Sequence, residues 1–341
     1  MTTPSLIPTL AGPYYTDPAI FAAEQAAIFE QMWFCVVRGQ DIATPGAFQT
    51  VQVGRAPPSE PRLTMTFKCT YHAWAYDLDG KLVAAPNLVK MPDIDRVEYG
   101  LRKVHVREWL GYVWVCLAPT PPSFEDEVMG ACEERLGDLA AVERYGIDSL
   151  TVGRRIRYDV RANWKLIIEN FMECYHCATI HPELVHVLPE FAGGYAAQYY
   201  VGHGAEFGPG VEGFTVDGSA GVTTITSLAE EQDRRYFAVT IKPQVFLNLV
   251  PDHVIMHRMF PLAADRTIVE CDWLYLPEVV ASGKDLTNSV ELFDRVNRQD
   301  FEACERCQPG MSSRAYAEGG VLVPSEHHIS AFHDWLRGRL A

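Results

Sequence analysis

Basic residues are scarce in this 341-residue chain: 29 Lys and Arg stand against 44 Asp and Glu, a formal net charge of −15. No Lys/Arg cluster exists to neutralise phosphates, which argues against nucleic acid or an anionic membrane as a partner. Long apolar runs are missing too. No uninterrupted stretch approaches the roughly 20 residues a spanning helix needs. The opening Met1-Thr2-Thr3-Pro4-Ser5-Leu6 has neither a basic nor an apolar leader region. The nine cysteines are an odd number without framework spacing, and a chain this long does not need disulfide staples. A reducing cytoplasm is therefore the expected compartment, with clustered Cys and His acting as ligands or core residues rather than as disulfides. What is present is ordinary globular material, 48% hydrophobic and 21% charged, enough for a sizeable core.

The order of local patterns predicts an α+β fold. Thr16-Asp17-Pro18 opens a helix with a cap and a proline in its first turn, and the N-terminal helical segment runs over 1–32. From Trp33 the pattern turns to strands: Phe34–Val37, the alternating Phe48–Val53, and pairs about Asp79-Gly80 and Gly111. Residues 33–118 are expected to form a small all-β module. After Thr120-Pro121-Pro122, a larger region over 119–341 should combine helices at 124–142, 163–177, 285–308 and 326–340 with antiparallel strands between 197 and 276.

The densest chemistry lies between Asn163 and Pro182. At about 100° per residue, Trp164, Ile168, Phe171 and Tyr175 share an apolar face, whereas Glu169, Glu173 and His176 share another. His181 falls about 140° from His176 on a regular helix, so the two imidazoles could not meet on one metal. Pro182 relieves this, because a residue before proline is pushed out of helical geometry and His181 can swing back. A ferrous site also needs a hard carboxylate. Asp300 supplies a candidate, since it interrupts an apolar stripe of Phe293, Val296, Cys304 and Cys307 and requires a metal or charge partner if buried. Glu302 and Glu305 point elsewhere. Singly, each residue has an ordinary explanation as a core or surface group. Together they form a two-His-one-carboxylate set.

The stretch NWKLIIENFMECYHCATIHPEL resembles the iron-binding segment of Rieske non-haem iron oxygenase alpha subunits, in the branch that includes oxygenases of quaternary ammonium compounds; RQDFEACERCQPG resembles the family's carboxylate-bearing helix. The resemblance runs from about Trp33 to Tyr316. It implies that His176, His181 and Asp300 bind one Fe(II), and that Glu173 is an acidic bridge to the cluster of a neighbouring subunit. It further implies a homotrimer that takes NAD(P)H electrons through ferredoxin or reductase partners, and hydroxylates or oxidatively demethylates a small organic substrate with O₂.

Cys69-Thr70-Tyr71-His72-Ala73-Trp74 resembles the second half of a Rieske motif, but the preceding C-x-H is absent from the whole chain. A Rieske [2Fe–2S] centre takes two Cys and two His; Cys69 and His72 alone leave each iron with a single protein ligand. Cys35, His105 and Cys116 sit in strand patterns and read as packing residues. Gly54–Pro61 reads as a join where a longer β region belongs. A deleted gene, an incomplete sequence and a genuine cluster-less relative all fit. Two other function classes therefore stay open: a regulatory or inactive iron-binding or ligand-binding relative, and a zinc protein using Cys69, His72 and the Cys304/Cys307 pair. Cys304 and Cys307 otherwise read as core, His327-His328 as a solvated helix start, and Tyr195, Tyr199, Tyr200, Phe207 and Trp273 as sheet aromatics that could include a cationic cage.

Overall fold

The computed structural model describes residues 6–55, 62–63, 66–86, 95–194 and 200–341. Its centre is an antiparallel sheet of six strands in the order Ala205–Glu206, Arg235–Ile241, Val245–Val250, His253–Ala263, Arg266–Tyr275 and Thr151–Val160. The strand Val245–Val250 is buried along its full length, as expected where both faces of a sheet are covered. Alternation then sorts its side chains. Val245, Leu247 and Leu249 enter one core, and Phe246 and Val250 enter the other. The second core holds the helices Trp164–Met172 and Thr287–Met311, so the sheet is the floor on which the site residues are set.

The opposite core is completed by a three-stranded sheet of Phe34–Arg38, Tyr112–Cys116 and His105–Trp109. Leu110 and Gly111, both at positive φ, make the tight turn between the last two. Three buried polar links fasten this sheet to the large one. The amide of Cys35 donates to Gln244 (2.8 Å), Arg258 donates to the Val36 carbonyl (2.7 Å), and Tyr112 donates to Asp272 (2.8 Å). Beyond it, Arg62–Leu63, Phe67–Lys68, Ala75–Tyr76 and Leu82–Ala84 form a sheet of short strands. Phe48–Val53 departs from its strand pattern. Only Val53 makes a bridge, and residues 48–50 are exposed; a two-residue period makes a strand only where a neighbour offers a ladder. Residues 56–61 of the expected join lie outside the described residues.

The helix that begins at Trp164 is capped by Asn163, whose Oδ1 accepts from the Lys165 amide at 3.0 Å. It ends at Met172 rather than at 177. Glu173 is extended at φ −124°, ψ 172°, and short helices follow over Cys177–Ile180 and Pro182–Val187. Tyr175 therefore leaves the apolar face and is 61% exposed. The helical wheel fails there because the chain turns at Glu173. No helix among the described residues is long and apolar enough to cross a membrane.

Candidate metal centre

The early helix end brings His176 and His181 together. His181 precedes Pro182 with φ −121° and ψ 61°, outside the helical region as the proline requires. The two imidazole centroids stand 5.1 Å apart at 79°. From the long helix, Asp300 places Oδ1 2.8 Å from His181 Nε2 and 3.2 Å from His176 Nε2. Two histidines five positions apart and an aspartate more than a hundred positions further on thus present donor atoms to one point. Glu173 faces the back of the first imidazole.

The surroundings orient these groups. Glu173 Oε1 is bonded to His176 Nδ1, and its Oε2 accepts from the Tyr175 amide. His181 Nδ1 meets Gln299 Oε1 at 2.7 Å. With Nδ1–H given to these acceptors, each Nε2 lone pair is available to a cation. Asn170 Nδ2 donates to Asp300 Oδ1 at 3.2 Å. Burial works to lower the basicity of His176, yet Asp300 and Glu173 outweigh it and raise its pKa to about 10. Burial works to raise Asp300, but bonds from His176 and His181 hold it down at about 2. Two carboxylates around one imidazole make an anionic cup with the electrostatics to hold a cation. Two nitrogen donors and one carboxylate, with further positions free, is the set that suits ferrous iron.

A cavity of about 50 Å³ opens on the same point, lined by Phe171, Phe191, Tyr236 and Phe293 together with the His176, His181 and Asp300 side chains. Among the described residues no Lys or Arg lines it. Phe191 and Phe293 approach Tyr236 at 5.9 and 6.3 Å between centroids. Behind Tyr236 a buried polar chain runs to Asn248, His257, Asn297 and Tyr158.

Cys69 and His72 are exposed in a tight turn closed by Ala73 N to Cys69 O at 3.0 Å. Backbone N–H groups of His72 and Tyr71 lower the Cys69 thiol pKa. The residues that could complete a [2Fe–2S] ligand set do not fit the task. Cys35 and Cys116 are fully buried in the three-stranded sheet, and burial pushes the Cys35 thiol up to about 12. His105 lies on an exposed edge strand. No stretch outside the described residues contains a Cys or His. The ligands present do not fit the cluster.

Several groups escaped sequence reasoning. Asn170 and Gln299 sit beside predicted residues but carry no pattern of their own; Gln299 is adjacent in sequence to Asp300, its one signal. Cys174 and Cys177 flank His176 and are joined by a disulfide, against the expectation that no disulfide forms. Their CxxC spacing was the signal. Of the Cys304/Cys307 pair, Cys304 is core, whereas Cys307 is exposed. His328 is not solvated; its Nε2 reaches the carbonyl of Met172, the last residue of the helix that begins at Trp164. Among the proposed cage aromatics, Phe207 and Trp273 are core, Tyr200 is exposed, and Tyr195 and Tyr199 lie outside the described residues.

Residues 147–341 match the family described as the ring hydroxylating alpha subunit, catalytic domain. The glycine betaine monooxygenase oxygenase subunit of Pseudomonas aeruginosa is 26% identical, with 97% of this chain and 89% of that one covered. Its 389 aligned positions exceed the 341 residues here, so that relative carries positions with no counterpart in this chain. The carnitine monooxygenase oxygenase subunit of Escherichia coli is 24% identical over 96% of this chain and 92% of its own. In fold, the quaternary ammonium Rieske monooxygenase CntA in complex with L-carnitine superposes with a TM-score of 0.71 at 22% identity, covering 99% and 97% of the two chains. Naphthalene 1,2-dioxygenase from Rhodococcus sp. superposes at 0.68 with 18% identity, over 97% and 94%. The matched segment contains both imidazoles and the carboxylate, and the chain belongs to the ring-hydroxylating alpha-subunit family of Rieske-type non-haem iron oxygenases.

Proposed function

We propose that His176, His181 and Asp300 hold one Fe(II) and that this chain is the oxygenase component for a small quaternary ammonium compound, oxidised by hydroxylation or demethylation. The observation that carries the reading is the approach of two Nε2 atoms to a single Asp300 oxygen, at 2.8 and 3.2 Å, beside an aromatic cavity. Bound there, ferrous iron would supply activation of O₂ at its open positions. The protein's own part is positioning. Glu173 and Gln299 fix the two rings through Nδ1, Asn170 steadies the carboxylate, and Phe171 and Phe293 keep water off the site.

Substrate class follows from the lining of the cavity. The cavity has acidic groups, π faces and no lining Lys or Arg among the described residues, a combination that favours a cationic head. Relatives named for glycine betaine and carnitine point the same way. Partner reductase or ferredoxin proteins and a trimeric assembly belong to this proposal, as does a cytoplasmic setting. No electron-transfer role is assigned to Cys69 and His72, because their ligand set is incomplete.

The test is metal analysis of protein refilled anaerobically with Fe(II), together with Asp300→Ala and His176→Ala. Wild type should retain about one iron per chain and both variants should lose it. Undiminished iron in either variant overturns the assignment. Adding a reductase system and glycine betaine or carnitine then tests for demethylated or hydroxylated product.

A further inference from the structure

The disulfide between Cys174 and Cys177 spans the turn that carries His176. Its Cα atoms are 4.9 Å apart, and the Cys177 amide donates to the Cys174 carbonyl at 3.1 Å. Both residues are buried, at 4% and 2% exposure, and both line the cavity at the metal centre. Cys177 has a second relationship there. Its Sγ lies 3.8 Å from His176 Nε2, and the donor atoms of His176, Cys177 and His181 all fall within 4.8 Å of one another. A sulfur and a nitrogen on one tetrahedral zinc, at about 2.3 and 2.0–2.1 Å from it, stand roughly 3.6 Å apart. The spacing is that of ligands sharing an ion.

A sulfur bonded to Cys174 cannot also be a thiolate ligand. The two states of Cys177 are mutually exclusive, and they make two different sites. With the disulfide closed, the protein offers two imidazoles and a carboxylate, an open set suited to ferrous iron. With it open, Cys177 adds a soft fourth donor. Together with Asp300, which approaches both imidazoles, a His₂-Cys-Asp set would form a closed tetrahedral shell, the habit of non-catalytic zinc.

We propose that the Cys174–Cys177 pair is a redox gate on metal identity: the disulfide reserves the site for iron, and its reduction turns Cys177 into a zinc ligand that closes the open positions. The inference rests on the assignment of His176, His181 and Asp300 as a metal centre. In the reducing step a dithiol of the thioredoxin class gives two electrons and two protons. The Cys174–Cys177 bond breaks, two thiols appear, and the donor's own sulfurs become a disulfide. Zinc binding then displaces the Cys177 proton to solvent. Disulfides that form in a reducing compartment are characteristically transient or sensing, which suits a gate better than a staple.

The experiment uses the full-length chain stripped of metal, before and after treatment with a phosphine reductant. Alkylation and peptide mapping should label the exposed Cys69 and Cys307 at once and the 174/177 peptide only after reduction. Co²⁺ is the spectroscopic probe, and Zn²⁺ affinity is read by competition with a chromogenic chelator. Reduced wild type should gain thiolate-to-cobalt charge-transfer absorption and bind Zn²⁺ at least about tenfold more tightly. Cys177→Ser should lack both changes. Cys174→Ser, which cannot form the disulfide, should show both without reductant. Unchanged Zn²⁺ affinity on reduction, or a charge-transfer band that persists in Cys177→Ser, overturns the gate. His176→Ala separates the two readings. If it abolishes Co²⁺ binding while reduction leaves wild-type Zn²⁺ affinity unchanged, only the gate fails; if it leaves Co²⁺ binding intact, the metal centre itself is wrong.

Discussion

Gln299 offers a sharp test of how the metal centre is built, because it touches the centre only through another residue. Its Oε1 meets His181 Nδ1 at 2.7 Å, and His181 is 1% exposed. Gln299→Leu keeps much of the volume and removes the acceptor. Partners of this kind typically contribute 10–100-fold to metal affinity, about 1.4–2.7 kcal/mol, and because Gln299 is itself only partly buried and water can in part replace it, the expected loss lies in the lower half of that range. Gln299→Glu supplies a charged acceptor at the same place and should act in the opposite direction, tightening binding several-fold. The assay is anaerobic Fe(II) or Co²⁺ titration against a competing chelator, with urea unfolding as a check on the fold. If Gln299→Leu binds within about twofold of wild type while remaining folded, the orienting role is refuted.

Three further outcomes are expected. His257 is fully buried, and burial holds its pKa down to about 4 against the opposing effects of the Asn297 hydrogen bond and the nearby Asp300 and Asp272 charges. The unfolded chain therefore binds the extra proton between about pH 6.5 and 4, and stability should fall by about 3 kcal/mol as pH drops through that window; urea midpoints should show the slope, and His257→Gln should flatten it. Asp272 is fully buried and binds Arg155 (2.5 Å), Tyr112 (2.8 Å) and Arg258 (3.4 Å); because Arg155 keeps Asp41 (2.7 Å) and Arg258 keeps Glu270 (3.1 Å), Asp272→Asn weakens the network without stranding either guanidinium and should cost about 1–3 kcal/mol; no measurable loss in chemical unfolding counts against that network. The incomplete ligand set predicts iron without acid-labile sulfide and no Rieske EPR signal in reduced protein, with iron content unchanged in the Cys69→Ser/His72→Ala double variant; stoichiometric sulfide would contradict it.

Much of the site was legible in the sequence because each clue was local. Pro182 announced that His181 leaves the helix, and Asp300 announced itself as an acid among apolar neighbours. The α+β character followed from where strand and helix periods sit. What stayed hidden was decided by distant packing. The end of the helix at Met172 is not marked by a glycine or proline, so the wheel ran on and misplaced Tyr175. The run Phe48–Val53 has a strand's alternation but no adjacent strand to complete it. Gln299 and Asn170 are ordinary polar residues until the fold brings His181 and Asp300 against them. Cys174 and Cys177 were read as packing or ligand residues because composition favoured a reducing compartment, whereas the tight turn after Glu173 brings their sulfurs together.

The same geometry explains how an incomplete β module can persist beside the candidate metal centre. The two parts of that module have different structural duties. Cys69 and His72 sit in an exposed turn, and nothing in either core depends on them. Phe34–Arg38 and Tyr112–Cys116, by contrast, contribute Cys35, Tyr112, Trp114 and Cys116 to a core shared with Val239, Leu247 and Val254 of the large sheet. Arg38 adds bonds to the carbonyls of Leu110, Ile147 and Leu150. Loss of cluster-binding loops would expose surface that is already outside the core, while loss of these strands would uncover the part of that face which Phe124, Val128 and Leu136 do not cover. The strands therefore stabilise the large sheet, and their presence is no evidence that electrons pass through them.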